Sequence, residues 1–327
     1  PAAASFRSWS NLKGAAMKRN LIIGTRKSAL ALWQAEYIKK ALECHDPNLS
    51  ITLEHIVTKG DKILDVPLAR IGGKGLFTKE LEARLLDGTI DLAVHSLKDV
   101  PTDLPDGLCL AAVTARSYVH DALVSNRYDS LDALPARARI GTSSLRRKAQ
   151  LLAHRPDLTV LDLRGNVDTR LKKLDDGEYD AIILAEAGLR RLGLSQRITQ
   201  LLPTDTMIPA VGQGALAIET RADDEALKSA LSFLCSDDTT AATIAERSFL
   251  AAINGSCQVP VGVYGRVNDG QLTLSCIIAA PDGSRVFRHQ ATGPASGSIA
   301  IGQKAARTLL DQGGRQILTD LGITPAE

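Results

Sequence analysis

The stretch Arg139-Ile140-Gly141-Thr142-Ser143-Ser144-Leu145-Arg146-Arg147 joins a short apolar strand to a polar turn and then to a helix running toward His154. The same unit stands earlier in the chain, as Leu21-Ile22-Ile23-Gly24-Thr25-Arg26 followed by Ser28. Leu30, Trp33, Ala35, Ile38 and Leu42 then recur at roughly helical spacing. Ser28 is placed to cap that helix. A strand that ends in a polar turn at a helix start makes an anion site by geometry, because unpaired backbone N–H groups converge there.

Each copy continues in the same way. A second strand and polar turn follow, at 51–57 with Thr58-Lys59-Gly60-Asp61, and at 158–163 with Arg164-Gly165-Asn166. A helix comes next, at 79–86 and at 169–174, and then a strand led by an Asp, at 91–94 and at 180–184. This is a weak internal repeat of two βαβαβ lobes with mostly parallel sheets, an α/β class. In such sheets ligands bind beyond the carboxyl ends of the strands. Two facing lobes would enclose a cleft lined by both sets of turns, and that is the expected active site.

The pattern changes after about residue 237. A helix-like run at 239–253 leads to Asn254-Gly255-Ser256-Cys257-Gln258-Val259-Pro260, then to three strand candidates at 261–267, 271–279 and 284–291. Asn268-Asp269-Gly270 and Pro281-Asp282-Gly283 mark the turns between them. A final helix is expected from about 298 to 312, stopped by Gly313-Gly314. The expected organisation is a first domain of 19–114 with 213–235, a second of 115–212, and a small α+β third domain of 236–327 with a three-stranded antiparallel sheet. Residues 1–18, rich in Ala and Ser and free of acids, read as an extension without structure of its own. They are either an added upstream segment or the remnant of an organelle transit peptide.

Composition narrows the function. The formal charge of +2 gives no broad field toward nucleic acid or membrane, and 4% aromatic content offers no stacking platform for bases. No stretch approaches the roughly 18 apolar residues that span a bilayer. Five widely spread cysteines without a C-x-x-C pair argue against a disulfide framework and a zinc site, so no metal is expected. The expected setting is cytoplasmic, or a plastid or mitochondrion if the extension is a transit remnant.

Among residues that could carry chemistry, Arg26, Arg146, Arg147, Arg164 and Arg170 fall at or near the polar turns of the repeats. Any one of them could be solvated surface. Five in equivalent turns, at helix starts that normally favour acids, point instead to a shared polyanionic ligand. Asp99 follows a buried strand in His95-Ser96-Leu97-Lys98-Asp99-Val100-Pro101. It could hold a cation or pass a proton, or it could merely pair with Lys98 or an Arg. His95 reads as a satisfied structural histidine rather than a base. Ile71-Gly72-Gly73-Lys74-Gly75-Leu76-Phe77 fails the phosphate-loop pattern, and the glycine-rich, charged run at 59–75 reads as a lid over the cleft. Cys257 sits in a Gly-Ser-Cys-Gln turn, more accessible than a thiol inside a helix or strand. Cys44, Cys109, Cys235 and Cys276 read as ordinary core or surface cysteines.

Seven segments, in order, resemble the porphobilinogen deaminase (hydroxymethylbilane synthase) family. They are Ile23-Gly24-Thr25-Arg26 with Ser28, Gly72 to Phe77, Val94 to Pro101, Gly141 to Arg147, Leu163-Arg164-Gly165-Asn166-Val167, Pro209-Ala210-Val211-Gly212-Gln213-Gly214 and Gly255 to Pro260. The resemblance implies a dipyrromethane cofactor, made from substrate and joined to Cys257 as a thioether. It implies that Asp99 helps expel ammonia and stabilises a cationic azafulvene. Arg26, Arg146, Arg147, Arg164, Arg170 and Arg191 would clamp acetate and propionate groups, with Lys98 and Ser28 assisting. Ser96, Thr142, Ser143, Ser144 and Gly165 would stand with Lys98, Arg146 and Arg147 around the cofactor. Phe77 and Gln213 would meet substrate, and Lys74 would belong to the lid. Four porphobilinogen molecules would add in turn before hydrolysis frees the linear tetrapyrrole. A monomer that hands its product to uroporphyrinogen-III synthase is implied as well.

One segment departs from the family pattern. Where an Arg-Glu-Asp-Pro-Arg-Asp-Ala run is usual, this chain has Arg116-Ser117-Tyr118-Val119-His120-Asp121-Ala122, which puts local salt bridging at the interlobe hinge in doubt. The rival reading is a non-catalytic anion-binding protein, since the repeat resembles two-lobed periplasmic binding proteins. That reading has no use for a third domain bearing an accessible cysteine.

Overall fold

The computed structural model describes residues 20–62, 75–255 and 259–325. The first lobe opens with β1 (Asn20–Arg26), α1 (Ala29–His45) and β2 (Ser50–Ile56). A single helical turn at Lys59–Lys62, then α2 (Lys79–Leu86), β3 (Leu92–Ser96) and β4 (Leu108–Val113) follow. The second lobe holds β5 (Asp121–Val124), β6 (Arg139–Gly141), α3 (Leu145–His154), β7 (Thr159–Leu161) and α4 (Val167–Asp175). It closes with β8 (Ala181–Ala185), α5 (Glu186–Arg191) and β9 (Gln200–Leu202), after which β10 (Leu216–Arg221) and α6 (Glu225–Leu231) return to the first lobe.

The sheet orders are β2-β1-β3-β10-β4 and β7-β6-β8-β5-β9. In both, the first three strands run parallel and the fourth runs against its neighbours. The reversed strand is in each case the one that has just crossed from the other lobe. The repeat extends to single hydrogen bonds. The Asp91 carboxylate accepts from Ile22 N at 2.9 Å while Asp91 N donates to Ile22 O, and Asp180 repeats both bonds with Arg139. These aspartates therefore pin the start of the third strand to the first.

Apolar faces explain the layers. Leu21, Ile23, Ile38, Leu42, Leu92 and Ile218 pack between the first sheet and α1, while Ile56, Leu81, Leu85 and Ile90 fill the α2 side. In the second lobe, Leu123, Ile140, Leu151 and Ile183 cover one face and Leu163, Leu171, Ile182 and Leu184 the other. Each such side chain, fully buried, contributes about 1.5–3 kcal/mol. Two connections, residues 114–120 and 203–215, join the lobes side by side. Gly214, at φ +93°, lies where a Cβ would stand 2.4 Å from the Ser117 carbonyl oxygen, so only glycine lets the two connections touch.

The third unit is built on α7 (Asp237–Ala252) and an antiparallel sheet of β11 (Val261–Asn268), β12 (Gln271–Ala279) and β13 (Val286–Pro294), with α8 (Ser298–Leu309) against α7. One expectation is corrected here: the last helix does not stop the chain at Gly313-Gly314. Gly313 takes φ +124° beside the Phe287 ring, and α9 (Arg315–Asp320) follows, burying Ile317 and Leu318 in the same core.

Candidate active site

The carboxyl end of β3 carries one wall of the cleft. A tight turn, Leu97–Asp99, buries Leu97 as a plug, leaves Lys98 half-buried and exposes Asp99. Arg26, Ser28, Gln34, Phe77, Ser96 and Asp99 line a common pocket here. Ser28 caps α1 by accepting from Ala31 N, and Ser96 Oγ accepts from Gln34 Nε2 at 2.8 Å. The Arg26 guanidinium lies 4.2 Å above the Phe77 ring and pairs with Asp61, Nε to Oδ1 being 3.1 Å. Burial would raise the Asp61 carboxyl, but hydrogen bonds from Arg26 and Thr58 hold it below the ordinary carboxylate range.

The opposite wall comes from the second lobe. Arg146 and Arg147 are buried and share Asp121, with Arg146 Nη1 2.6 Å from Oδ2 and Arg147 Nη2 2.7 Å from Oδ1. Both also donate to backbone carbonyls, Arg146 to Ile208 O and Arg147 to Ile183 O. Burial opposes ionisation of Asp121, yet the two guanidiniums drive its carboxyl far below the carboxylate range. Thr142, Ser143 and Ser144 organise the helix start beside them. Ser144 caps α3, Thr142 Oγ1 accepts from Ser144 N, and Ser143 Oγ donates to Leu163 O. Arg170 Nε donates to Gly165 O at 2.7 Å.

The two walls sense each other's charge. Burial pushes the Lys98 ammonium down to about 8, with Asp99 opposing and Arg147 adding to the fall. Burial likewise pushes Arg170 down to about 10, joined by Arg147 and Arg164 and opposed by Asp99. Arg191 Nη2 donates to Gly214 O at 2.8 Å, and Gln213 Nε2 donates to Val119 O at 2.8 Å and to Asp121. Lys74 and Cys257 lie outside the described residues, as do most of the expected lid and residues 1–18.

Sequence reasoning passed over Gln34 and Asp61. The signal for Gln34 was a polar residue on the buried stripe of α1, beside Ala31, Ala35 and Ile38. Asp61 had only its position in the turn after β2.

The altered hinge segment is bridged after all, through distant partners rather than local ones. Arg116 pairs with Glu246, Asp121 with Arg146 and Arg147, and His120 Nδ1 lies 3.0 Å from Glu186 Oε2.

Comparison with known proteins decides the family. Residues 21–229 match the porphobilinogen deaminase dipyrromethane cofactor binding domain, and residues 240–311 match the porphobilinogen deaminase C-terminal domain. A porphobilinogen deaminase of Chromobacterium violaceum is 54% identical over 298 residues, 91% of this chain and 96% of that one. The chain belongs to the porphobilinogen deaminase family. With that it belongs among the transferases, and the reading as a non-catalytic anion binder is not favoured.

Among solved structures, a methionine-binding protein aligns at 15% identity over 68% of this chain and 92% of its own, with a TM-score of 0.44. A periplasmic substrate-binding protein of an ABC transporter from Coxiella burnetii aligns at 14% identity over 65% and 91%, with a TM-score of 0.43.

A porphobilinogen deaminase needs a place for pyrroles that bear acetate and propionate groups. The donor set here suits them, since Lys98 and the Arg146–Arg147 pair gather about a single Asp121 charge, and Arg170 lies within reach of the Arg147 and Asp99 charges. Gln213 Oε1, buried without a hydrogen-bond partner among the described residues, is an acceptor left for a further donor. No helix of the described residues is long and apolar enough to cross a membrane, and no His, Cys, Asp or Glu group among them could hold a metal.

Proposed function

We propose that the cleft joins four porphobilinogen molecules head to tail, with release of ammonia, on a dipyrromethane held by a thioether to Cys257, and then hydrolyses the product to hydroxymethylbilane for heme-type tetrapyrrole synthesis. The dipyrromethane, when bound, supplies the free pyrrole carbon on which the chain grows. The observation that carries this reading is Asp99. It is an exposed carboxylate on the first lobe whose charge is felt by Lys98 beside it and by Arg170 of the second lobe.

The residues divide the work by charge. Asp99 stabilises the positive charge that develops on the substrate pyrrole as ammonia leaves, and hydrogen-bonds pyrrole N–H groups. Arg26, Arg164, Arg170 and Arg191, with Ser28, Phe77 and Gln213, orient substrate. Lys98, Ser96, Thr142, Ser143, Ser144, Arg146, Arg147 and Gly165 hold the cofactor. Lys74 belongs to the lid. Each added unit brings two carboxylates, so a cleft with surplus fixed cations gains affinity as the product lengthens. Domains of 19–114 with 213–235, 115–212 and 236–327, a cytoplasmic monomer and product transfer to uroporphyrinogen-III synthase complete the reading.

The experiment pairs single-turnover rate with melting temperature in Asp99→Asn, using protein shown by mass to carry cofactor. Turnover should fall by several powers of ten with Tm nearly held, since each 1.36 kcal/mol of lost transition-state stabilisation is about tenfold. A variant that melts early yet turns over normally would make Asp99 structural.

A further inference from the structure

Trp33 stands on α1 immediately before Gln34, 38% exposed at the rim of the first lobe. Its ring stacks on Tyr37 one turn along the helix, with centroids 5.4 Å and planes 5° apart. Exposure of one large ring means little by itself. Its neighbour from the other lobe gives it meaning. Arg191, on α5, places its guanidinium carbon 5.8 Å from the Trp33 ring centroid. The same helix lies against α1, for a Cβ on Gly188 would reach the Leu30 side chain at 3.7 Å.

Arg191 therefore touches three parts of the molecule. It springs from the second lobe, faces a ring of the first, and donates from Nη2 to Gly214 O in the connection between them. Among the described residues it has no other hydrogen bond and no carboxylate partner. Burial pushes it down to about 10, with Tyr37 opposing. An aromatic ring occupies one face of the planar guanidinium and leaves the N–H groups in its plane available for a bidentate carboxylate.

We propose that Trp33, backed by Tyr37, is a positioning residue for Arg191: the stacked rings hold the guanidinium at the seam between the lobes, so that closure of the cleft presents Arg191 to a substrate carboxylate. This rests on the reading of Arg191 as a substrate-binding residue. Lys would not replace Arg191, since an ammonium lacks the flat face that the ring receives.

The test measures KM and kcat for porphobilinogen in Trp33→Leu, Trp33→Phe, Arg191→Gln and Trp33→Leu/Arg191→Gln. Trp33→Leu should raise KM about two- to fivefold, the equivalent of about 0.5–1 kcal/mol, with kcat nearly held, and Trp33→Phe should lose less. In the Arg191→Gln background the Trp33 change should have no further effect. Trp9→Phe leaves Trp33 as the only tryptophan, and its emission should shift on adding porphobilinogen unless Arg191 is Gln. If Arg191→Gln raises KM while Trp33→Leu does not, or if the two changes multiply independently, Trp33 does not position Arg191. If Arg191→Gln itself leaves KM unaltered, the assignment of Arg191 to substrate fails first, and the proposal with it.

Discussion

Arg116 and Glu246 form a buried two-pronged ion pair, with Nη1–Oε1 2.7 Å and Nη2–Oε2 2.8 Å, that ties the outgoing interlobe connection to helix α7. The same carboxylate accepts from Gly212 N of the returning connection and from Gly265 N of β11, each at 2.7 Å. One side chain thus joins both hinge segments to the third unit.

Glu246→Gln should leave the Arg116 charge buried and poorly compensated, at a cost of about 3–5 kcal/mol. The urea midpoint should drop accordingly. A midpoint unchanged from the parent would mean that water already screens the pair.

The buried Arg146 and Arg147 should be separable by stability from Arg164, the proposed substrate cation of the same lobe. Asp121→Asn, Arg146→Leu and Arg147→Leu each break the buried triad and should each lower stability by about 3–5 kcal/mol. The Arg changes should also weaken ligand binding. Arg164→Leu should instead cost about 1.5–3 kcal/mol in binding, roughly ten- to 150-fold, and stall the enzyme with partly grown product visible in its mass. Equal thermal losses in all four would refute the division.

Lys98 should set an alkaline limb. Its charged form, needed for a carboxylate, is lost as pH rises through about 8, so KM should climb there and the limb should vanish in Lys98→Met. Stability moves the other way. Between about 8 and the unfolded value of 10.5 the unfolded chain holds more protons, so this group makes the ligand-free protein more stable as pH rises. Asp121 works at the acid end. Its depressed carboxyl contributes fully above its unfolded value of 3.8, and that contribution is lost progressively as pH falls from there toward the much lower folded value.

Cofactor attachment is read from mass. Cys257→Ala should fold yet lack the covalent increment, while Cys44, Cys109, Cys235 and Cys276 changed singly to Ala should keep it. Burial pushes the Cys276 thiol well above its ordinary range, so it is no nucleophile. An increment surviving in Cys257→Ala would move the attachment point.

The repeat, the capped helix at Ser28 and the polar turns were legible in sequence because each is written in residues close together along the chain. Helix and strand periods, caps and turn residues act within a few positions, so α2 was read to its observed ends and β12 likewise. What only the tertiary structure decided lies at long separation. Strands β5 and β10 are short, and each runs backwards through the sheet of the lobe that the chain has just entered, which no local period announces. Arg146 and Arg147 read alike with Arg164 as turn cations, yet Asp121, some 25 residues earlier, claims the first two. The altered hinge run suggested lost salt bridges because only its neighbours could be seen; Arg116 finds Glu246 130 residues away. Charge pairing acts through space, so the chain order that fixes secondary structure says little about which buried charges meet.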